Sequence, residues 1–427
     1  MDQVICHPAF FSGDVTVPSS KSATHRAVLC AALARGESVL SPVILSRDIE
    51  ATIAAVCGLG AHAEYTPDTK ELRIHGIESP VSHAVIQCGE SGSTLRFLIP
   101  VAASLGCSAT FLGEGRLPAR PVGCYTECLP PHGVACTTES GLPFSVHGHL
   151  QPGEFILPGN ISSQFITGLL FAHPLLDGDS RITLSSPLES AGYVELTLSV
   201  LKDFGITILP DAKGWFIPGG QTLTARAYTI EGDWSQAAFF MAMGALSKAP
   251  AGVCIHGLRA DSVQGDKAAV DIFRRFGAEI IESDRDLIVR PGTLRGITVD
   301  AADIPDLVPA IAACAAFCPE KTVIQNAARL RIKESDRLFA LEHNLRALGV
   351  AVSSTKDSLT IVGRKELPGG TCSGFRDHRI VMAMAVCTAG CTDEITITDA
   401  DSIQKSYPDF FKDYNQLGGN AHVVHMG

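Results

Sequence analysis

Polar, glycine-broken turns stand directly against apolar runs at several points of this chain, and cations gather beside them. In CGESGSTLRFLIPVAA, residues 88–103, Ser91, Ser93 and Thr94 can cap the unpaired N–H groups of a helix start, and Arg96 follows five residues after Ser91. Such a start attracts anions through those N–H groups and the helix dipole. A capped core helix would read the same way, so one stretch decides nothing. The punctuation recurs, however, around Ser22 in VPSSKSATHRAVLCAALA, Ser162 in LPGNISSQFITGLLFA, Ser235 in EGDWSQAAFFMAMGAL, Asp306 in DIPDLVPAIAACAAF and Asp377 in FRDHRIVMAMAVCTA. Lys21, Arg26, Arg96 and Arg120 lie near these starts in the first half, and Lys333, Arg337, Arg379 and Lys405 in the second. Taken singly, each is read as a solvated or ion-paired surface residue. Facing one cleft together, they would hold a ligand with several negative groups.

The elements that position these residues repeat. From Ser22 to Asp377 the marked starts are spaced by 69, 71, 73, 71 and 71 residues, which points to six copies of one supersecondary unit. Strand-like pieces such as ITVDA, TVIQNA and EITITDA alternate with helical pieces such as DRLFALEHNLRALG, so each copy reads as α/β. Helices rich in alanine, glycine and small apolar residues are expected to be covered on most sides. Two lobes of three units follow, since 427 residues are too many for one core. The expected division is 21–228 for the first lobe and 1–20 plus 229–427 for the second, with TLTARAYTIEGDWS as one crossing. FSGDVTVPSS, ahead of the first copy, is expected to complete the last sheet of the second lobe, with the second crossing near Ser20.

Composition narrows the function classes. The chain is 46% hydrophobic and 19% charged, as in soluble globular proteins, and no apolar stretch is long enough to span a bilayer. MDQVICHPAFF lacks the pattern of a secretory signal, so a cytoplasmic protein with its 14 cysteines reduced is expected. No CxxC occurs and no Cys/His set has zinc spacing, so the cysteines are expected to pack in the core rather than to hold a metal. A formal charge of −11 argues against nucleic acid as a partner.

VPSSKSATHRA, GESGSTLR, LPARP, GNISSQF, DIPD, RIKESDRL, FRDHRIVMA and KSYPDF together resemble, in order and over the whole chain, the 5-enolpyruvylshikimate-3-phosphate (EPSP) synthase family. The resemblance implies two lobes, each of three βαβαββ units with buried helices, an inside-out α/β barrel. It implies transfer of the enolpyruvyl group of phosphoenolpyruvate to the 5-hydroxyl of shikimate 3-phosphate, with release of phosphate, in aromatic amino-acid biosynthesis. It also calls for no metal or organic cofactor, and a monomer without nucleic acid or membrane partners is expected.

By the same resemblance, Asp306 is the base at the ring hydroxyl. Glu334, Lys21 and Lys405 are the candidates to protonate the methylene carbon, and His378 either assists proton transfer or caps the last helix. Lys21, Gly92, Arg120, Gln164, Arg337, Arg379 and Lys405 match positions that hold phosphoenolpyruvate. Lys21, Ser22, Arg26, Ser162, Ser163, Gln164, Ser190, Tyr193, Asp306, Arg329 and Lys333 match positions around shikimate 3-phosphate. Read from local sequence alone, Asp306 could instead be a helix N-cap, and Glu334 a surface partner of Arg337 or Arg331.

Two other functions stay open at this point. UDP-N-acetylglucosamine enolpyruvyl transferases share the architecture but characteristically carry a cysteine where this chain reads GEGRLPARP. A non-catalytic two-lobed anion receptor would explain the cations but not two carboxylates among them. Glu90 and Arg329 stand where many members of the resembled family carry asparagine, and a pair between them across the cleft is expected to offset the Glu90 charge.

Overall fold

Helices that are apolar on every side must be covered on every side, and this chain contains several. WSQAAFFMAMGAL, which forms the helix Trp234–Leu246, is buried from Trp234 to Ala245, and GSTLRFLIPVAAS forms Gly92–Ser104 with all but Ser93 buried. Lys21–Leu33, Ser163–Ala172, Val308–Ala315 and His378–Val386 complete a set of six such central helices. Small residues let them approach closely. A Cβ at Gly168 would collide with the Arg96 carbonyl and the Tyr125 hydroxyl of the neighbouring helices.

The computed structural model describes residues 2–283 and 286–424. The chain divides into one unit of Ser19–Ile230 and another of Met1–Pro18 with Glu231–Gly427. Among the described residues there are six four-stranded sheets, and in each two strands run parallel and the remaining pairings are antiparallel. One copy shows the plan. His83–Gln87 leads through Gly92–Ser104 to Ser108–Leu112, then through the short helix Gly123–Cys128 to the hairpin Val134–Thr137 and Phe144–Gly148. His83–Gln87 and Ser108–Leu112 pair in parallel because a helix crosses between them. This is βαβαββ, with the first helix in the core and the sheet outside it.

Three copies borrow a strand from elsewhere in the chain. Ala227–Thr229 pairs in parallel with Glu37–Ser41 and supplies the first strand of the first copy. The fourth copy therefore lacks a first strand of its own, and Gly13–Thr16 fills the place beside Val253–His256. This corrects the expectation for FSGDVTVPSS: its strand joins the fourth copy's sheet, not the last one. The last sheet is completed by Gln3–His7, held between Ile395–Ile397 and Asn420–Val424.

Five of the six central helices are capped by a side-chain oxygen, from Ser20, Ser91, Ser162, Asp233 and Asp377. Ser91 Oγ accepts from the Thr94 N–H at 3.1 Å, which accounts for the hydroxyl-rich start of that apolar helix. All 14 cysteines are free thiols, and the 11 buried ones pack as small apolar residues; Cys318 and Cys391 each donate to the carbonyl four residues back. Among the described residues no helix is long and apolar enough to cross a membrane.

Candidate active site

In the Ser19–Ile230 unit, the caps aim N–H groups and cations from three helix starts. Lys21 opens its helix and donates from Nζ to Asp48 Oδ2 at 2.8 Å, an acid that local sequence did not single out. One turn further, the buried Arg26 donates to Thr197 Oγ1, the Ser22 carbonyl and the Tyr193 carbonyl, each at 2.8 Å. It thereby ties the Lys21 helix to Ala191–Asp203, whose start carries Ser190 in the left-handed region at φ 58° and Tyr193. Burial, the largest influence, lowers the Arg26 guanidinium to about 10.

Gln164 is fixed from both sides. Its Oε1 accepts from Arg96 Nη1 at 2.6 Å and its Nε2 donates to Ser93 Oγ at 3.0 Å. Arg96 also donates from Nη2 to the Pro121 carbonyl, next to Arg120. The Arg120 guanidinium lies on Gly92: a Cβ there would sit 2.8 Å from Nη1. Glycine at 92 thus leaves the Arg120 guanidinium its place, and a side chain there would displace it. Ser162 caps the helix that Ser163 and Gln164 begin. Lys21, Ser22, Arg26, Ser190 and Tyr193 therefore form one group, and Gly92, Arg120 and Gln164 another. Glu90 lies against Gly115, in the same unit.

The Met1–Pro18 and Glu231–Gly427 unit builds a different arrangement, in which acids meet the cations. Arg337, 1% exposed, donates from Nη1 to Asp306 Oδ1 at 2.9 Å, from Nη2 to Glu334 Oε2 at 2.8 Å and from Nε to Asp377 Oδ2 at 2.8 Å. Arg379 donates to Asp306 Oδ2 at 3.2 Å, to the Asp306 carbonyl at 3.0 Å and to Ser235 Oγ at 2.9 Å. Lys333 Nζ is 3.5 Å from Asp306 Oδ1. Burial pushes the Asp306 carboxyl up, but Arg379, Lys333 and Arg337 overcome it and hold the group well below the usual carboxylate range. Burial likewise lowers Lys333, against the pull of Asp306.

Asp306 is not a cap. Its helix begins after Leu307 with no side-chain cap bond, and its carboxylate faces three cations instead. Glu334 does pair with Arg337, but in a half-buried position just ahead of the Arg337–Ala347 helix, while Arg331 takes Asp336. His378 is buried beside Asp377, and the helix cap is Asp377. Lys405 is buried at the end of the 3₁₀ turn Ala400–Lys405, which packs on the His378 helix. Arg329 donates to the Ala302 carbonyl at 2.7 Å.

Two further acids organise this network: Asp377, which sequence reasoning used only as a helix marker, and Asp233, which it did not single out. Asp377 holds Arg337, Ser335 and the Arg379 N–H, and Asp233 holds Ser235 by two bonds. Recurrence at helix starts was the signal for Asp377, whereas at the fourth start the residue marked was Ser235, two positions after Asp233. Among the described residues, three donors that could hold a metal ion together are Asp14, Cys254 and His256, which belong to neither group.

The family model for EPSP synthase (3-phosphoshikimate 1-carboxyvinyltransferase) matches residues 6–414. The 3-phosphoshikimate 1-carboxyvinyltransferase of Clostridium kluyveri is 43% identical over 430 residues, covering 100% of both chains, and that of Clostridium novyi is 42% identical over 438 residues with the same coverage. Among solved structures, EPSP synthase from Acinetobacter baumannii superposes with a TM-score of 0.83 at 25% identity over 100% of both chains. The enolpyruvyl transferase NikO of Streptomyces tendae shares the fold at 16% identity, with a TM-score of 0.82 over 100% of this chain and 99% of its own. With a family match over residues 6–414, relatives above 40% identity over their whole length and the same fold, the chain belongs to the EPSP synthase family.

Proposed function

We propose that the chain transfers the enolpyruvyl group of phosphoenolpyruvate to the 5-hydroxyl of shikimate 3-phosphate and releases phosphate. The observation that carries this reading is the Asp306 carboxylate held between Arg337, Arg379 and Lys333. The hydroxyl oxygen bonds to C2 of the enol as its proton passes to a base, and the double bond's electrons take a proton at the methylene carbon. The C2–phosphate bond then breaks, phosphate leaves with its bonding pair, and loss of a methyl proton restores the double bond.

Asp306 is the base in this reading. At rest its three cations keep it ionised, and therefore able to accept, but weakly basic. When the phosphate and carboxylate of phosphoenolpyruvate draw Arg337 and Arg379 toward themselves, Asp306 loses part of that stabilisation and gains basicity. Glu334, Lys21 or Lys405 donates to the methylene carbon, with His378 assisting from beside Asp377. We assign Lys21, Gly92, Arg120, Gln164, Arg337, Arg379 and Lys405 to phosphoenolpyruvate, where guanidinium forks match both anionic groups. Ser22, Arg26, Ser162, Ser163, Ser190, Tyr193, Arg329 and Lys333 are assigned to shikimate 3-phosphate, with Lys21, Gln164 and Asp306 shared. The working form in this reading is a monomer in the cytoplasm, where the buried thiols stay reduced.

Phosphate release from phosphoenolpyruvate tests the reading. It is expected with shikimate 3-phosphate and absent with UDP-N-acetylglucosamine, in keeping with the cysteine-free residues 113–121. Release only with the UDP-sugar, or with neither acceptor, overturns it.

A further inference from the structure

Three metal-type donors from distant parts of the chain meet on the face of a sheet that turns away from the core. Gly13–Thr16 and Val253–His256 run parallel, with Asp14 opposite Cys254 and Thr16 opposite His256. Val253 and Ile255 enter the core, so Cys254 and His256 alternate onto the other face. There the Asp14 carboxylate, the Cys254 thiol and the His256 imidazole each bring a donor atom within 4.8 Å of the other two. His256 has a carboxylate at both ring nitrogens: Nδ1 is 2.6 Å from Asp286 Oδ1, and Nε2 is 3.0 Å from Asp14 Oδ1. A protonated imidazole donates to both carboxylates. A divalent cation at Nε2 takes the place of one of those protons and leaves the Nδ1 proton on Asp286, the carboxylate–imidazole–metal order found at metal-bound histidines.

We propose that Asp14, Cys254 Sγ and His256 Nε2 form a binding site for a divalent ion of the zinc class, with Asp286 orienting the imidazole and solvent in the fourth position. One thiolate, one imidazole and one carboxylate suit zinc or cobalt and disfavour magnesium and calcium, which select oxygen. Binding displaces the thiol proton and any proton on Nε2 to solvent. The ion clips the strand Gly13–Thr16 to the strand it parallels, so its effect is on the stability of that sheet, separate from enolpyruvyl transfer. Motif spacing does not reveal such a site, because Asp14 reaches Cys254 and His256 only through strand pairing.

The test is titration of the chelator-stripped, reduced full-length protein with cobalt(II), followed by absorbance. One equivalent is expected to bind with a thiolate-to-cobalt charge-transfer band, and zinc is expected to abolish the band. Cys254→Ser is expected to lose the band, and Asp286→Asn to weaken binding by about ten- to a hundredfold, with phosphate release from both substrates unchanged. Asp14→Asn, at an exposed position, is expected to weaken binding as well and serves if a strand variant fails to fold. A wild-type titration without the band, or a band that persists undiminished in Cys254→Ser or Asp14→Asn, overturns the proposal.

Discussion

The two units hold their cations in opposite ways. In Ser19–Ile230, Arg26 is held by a hydroxyl and two carbonyls, and Arg96 donates to an amide oxygen and a carbonyl. Neutral acceptors orient a guanidinium while leaving its charge in place, which suits a surface that must attract and hold anions. In the other unit, Arg337 is shared among three carboxylates, and Arg379 and Lys333 both touch Asp306. There the three cations are balanced by three carboxylates. If the proposed function holds, this contrast gives the first unit mainly anion-holding groups and the second the carboxylates that could exchange protons, with Lys21 and its partner Asp48 as the feature the first unit shares with the second.

The largest effect should come from breaking the balanced network. Asp377→Ala leaves the buried Arg337 without its Nε acceptor and strips the cap from the His378 helix, so a loss of about 3–5 kcal/mol is expected in denaturant melts. The neutral counterpart is Thr197→Val, which removes the acceptor of Arg26 Nε and should cost about 1–3 kcal/mol. Equal costs would dissolve the comparison.

Asp306→Asn keeps the shape and removes the proton acceptor. Its kcat should fall about a hundredfold or more, with a smaller change in the KM for shikimate 3-phosphate. A near-normal kcat with a lowered melting temperature would return Asp306 to a structural role.

Acid should act on the units in sequence. His25 and His173, both in Ser19–Ile230, are held neutral by burial, with pKa values pushed down to about 3. Unfolded histidine takes a proton below about pH 6.5, so this contribution is full above that value and is lost as pH falls toward 3, at about 1.4 kcal/mol per pH unit for each residue. Asp306, depressed by its cations, contributes above the unfolded carboxylate value near 3.9 and loses that contribution only below it. Trp215 reports on the first unit and Trp234 on the second. In single-tryptophan variants, the Trp215 transition should weaken first on acidification. If Trp234 moves first, the assignment is wrong.

Gly92→Ala should have a smaller effect, confined to the anion side. The methyl group displaces the Arg120 guanidinium, and about a tenfold rise in the KM for phosphoenolpyruvate is expected, with melting unchanged. An unchanged KM would show that Arg120 does not depend on the close approach.

Much of this frame is legible in the sequence because helix starts are local chemistry. Ser91 and Ser162 cap the helices whose starts they mark, and the first cap, Ser20, lies two residues ahead of Ser22, from which the repeat period is counted. Strand exchange is not legible: Gly13–Thr16 finds its sheet more than two hundred residues away, and nothing near it names the partner. Asp306 shows the limit for side chains, since its local pattern matches a cap while its bonds go to Lys333, Arg337 and Arg379. The candidate site residues were readable mainly through resemblance. Asp48 and the bonds of Asp377 depend on packing between helices and leave no local signature.

The account rests on proton transfer to and from the methylene carbon, and running the reaction in D₂O tests that most directly. Protonation makes a methyl group from the methylene, and the elimination step then removes one of its hydrogens, so deuterium should be found in the enolpyruvyl methylene of the product. Glu334→Gln identifies the donor: slower incorporation implicates Glu334, and wild-type incorporation leaves Lys21 or Lys405. A wild-type product formed at full rate with no deuterium in that methylene would contradict addition–elimination, and with it the division of labour between the two units.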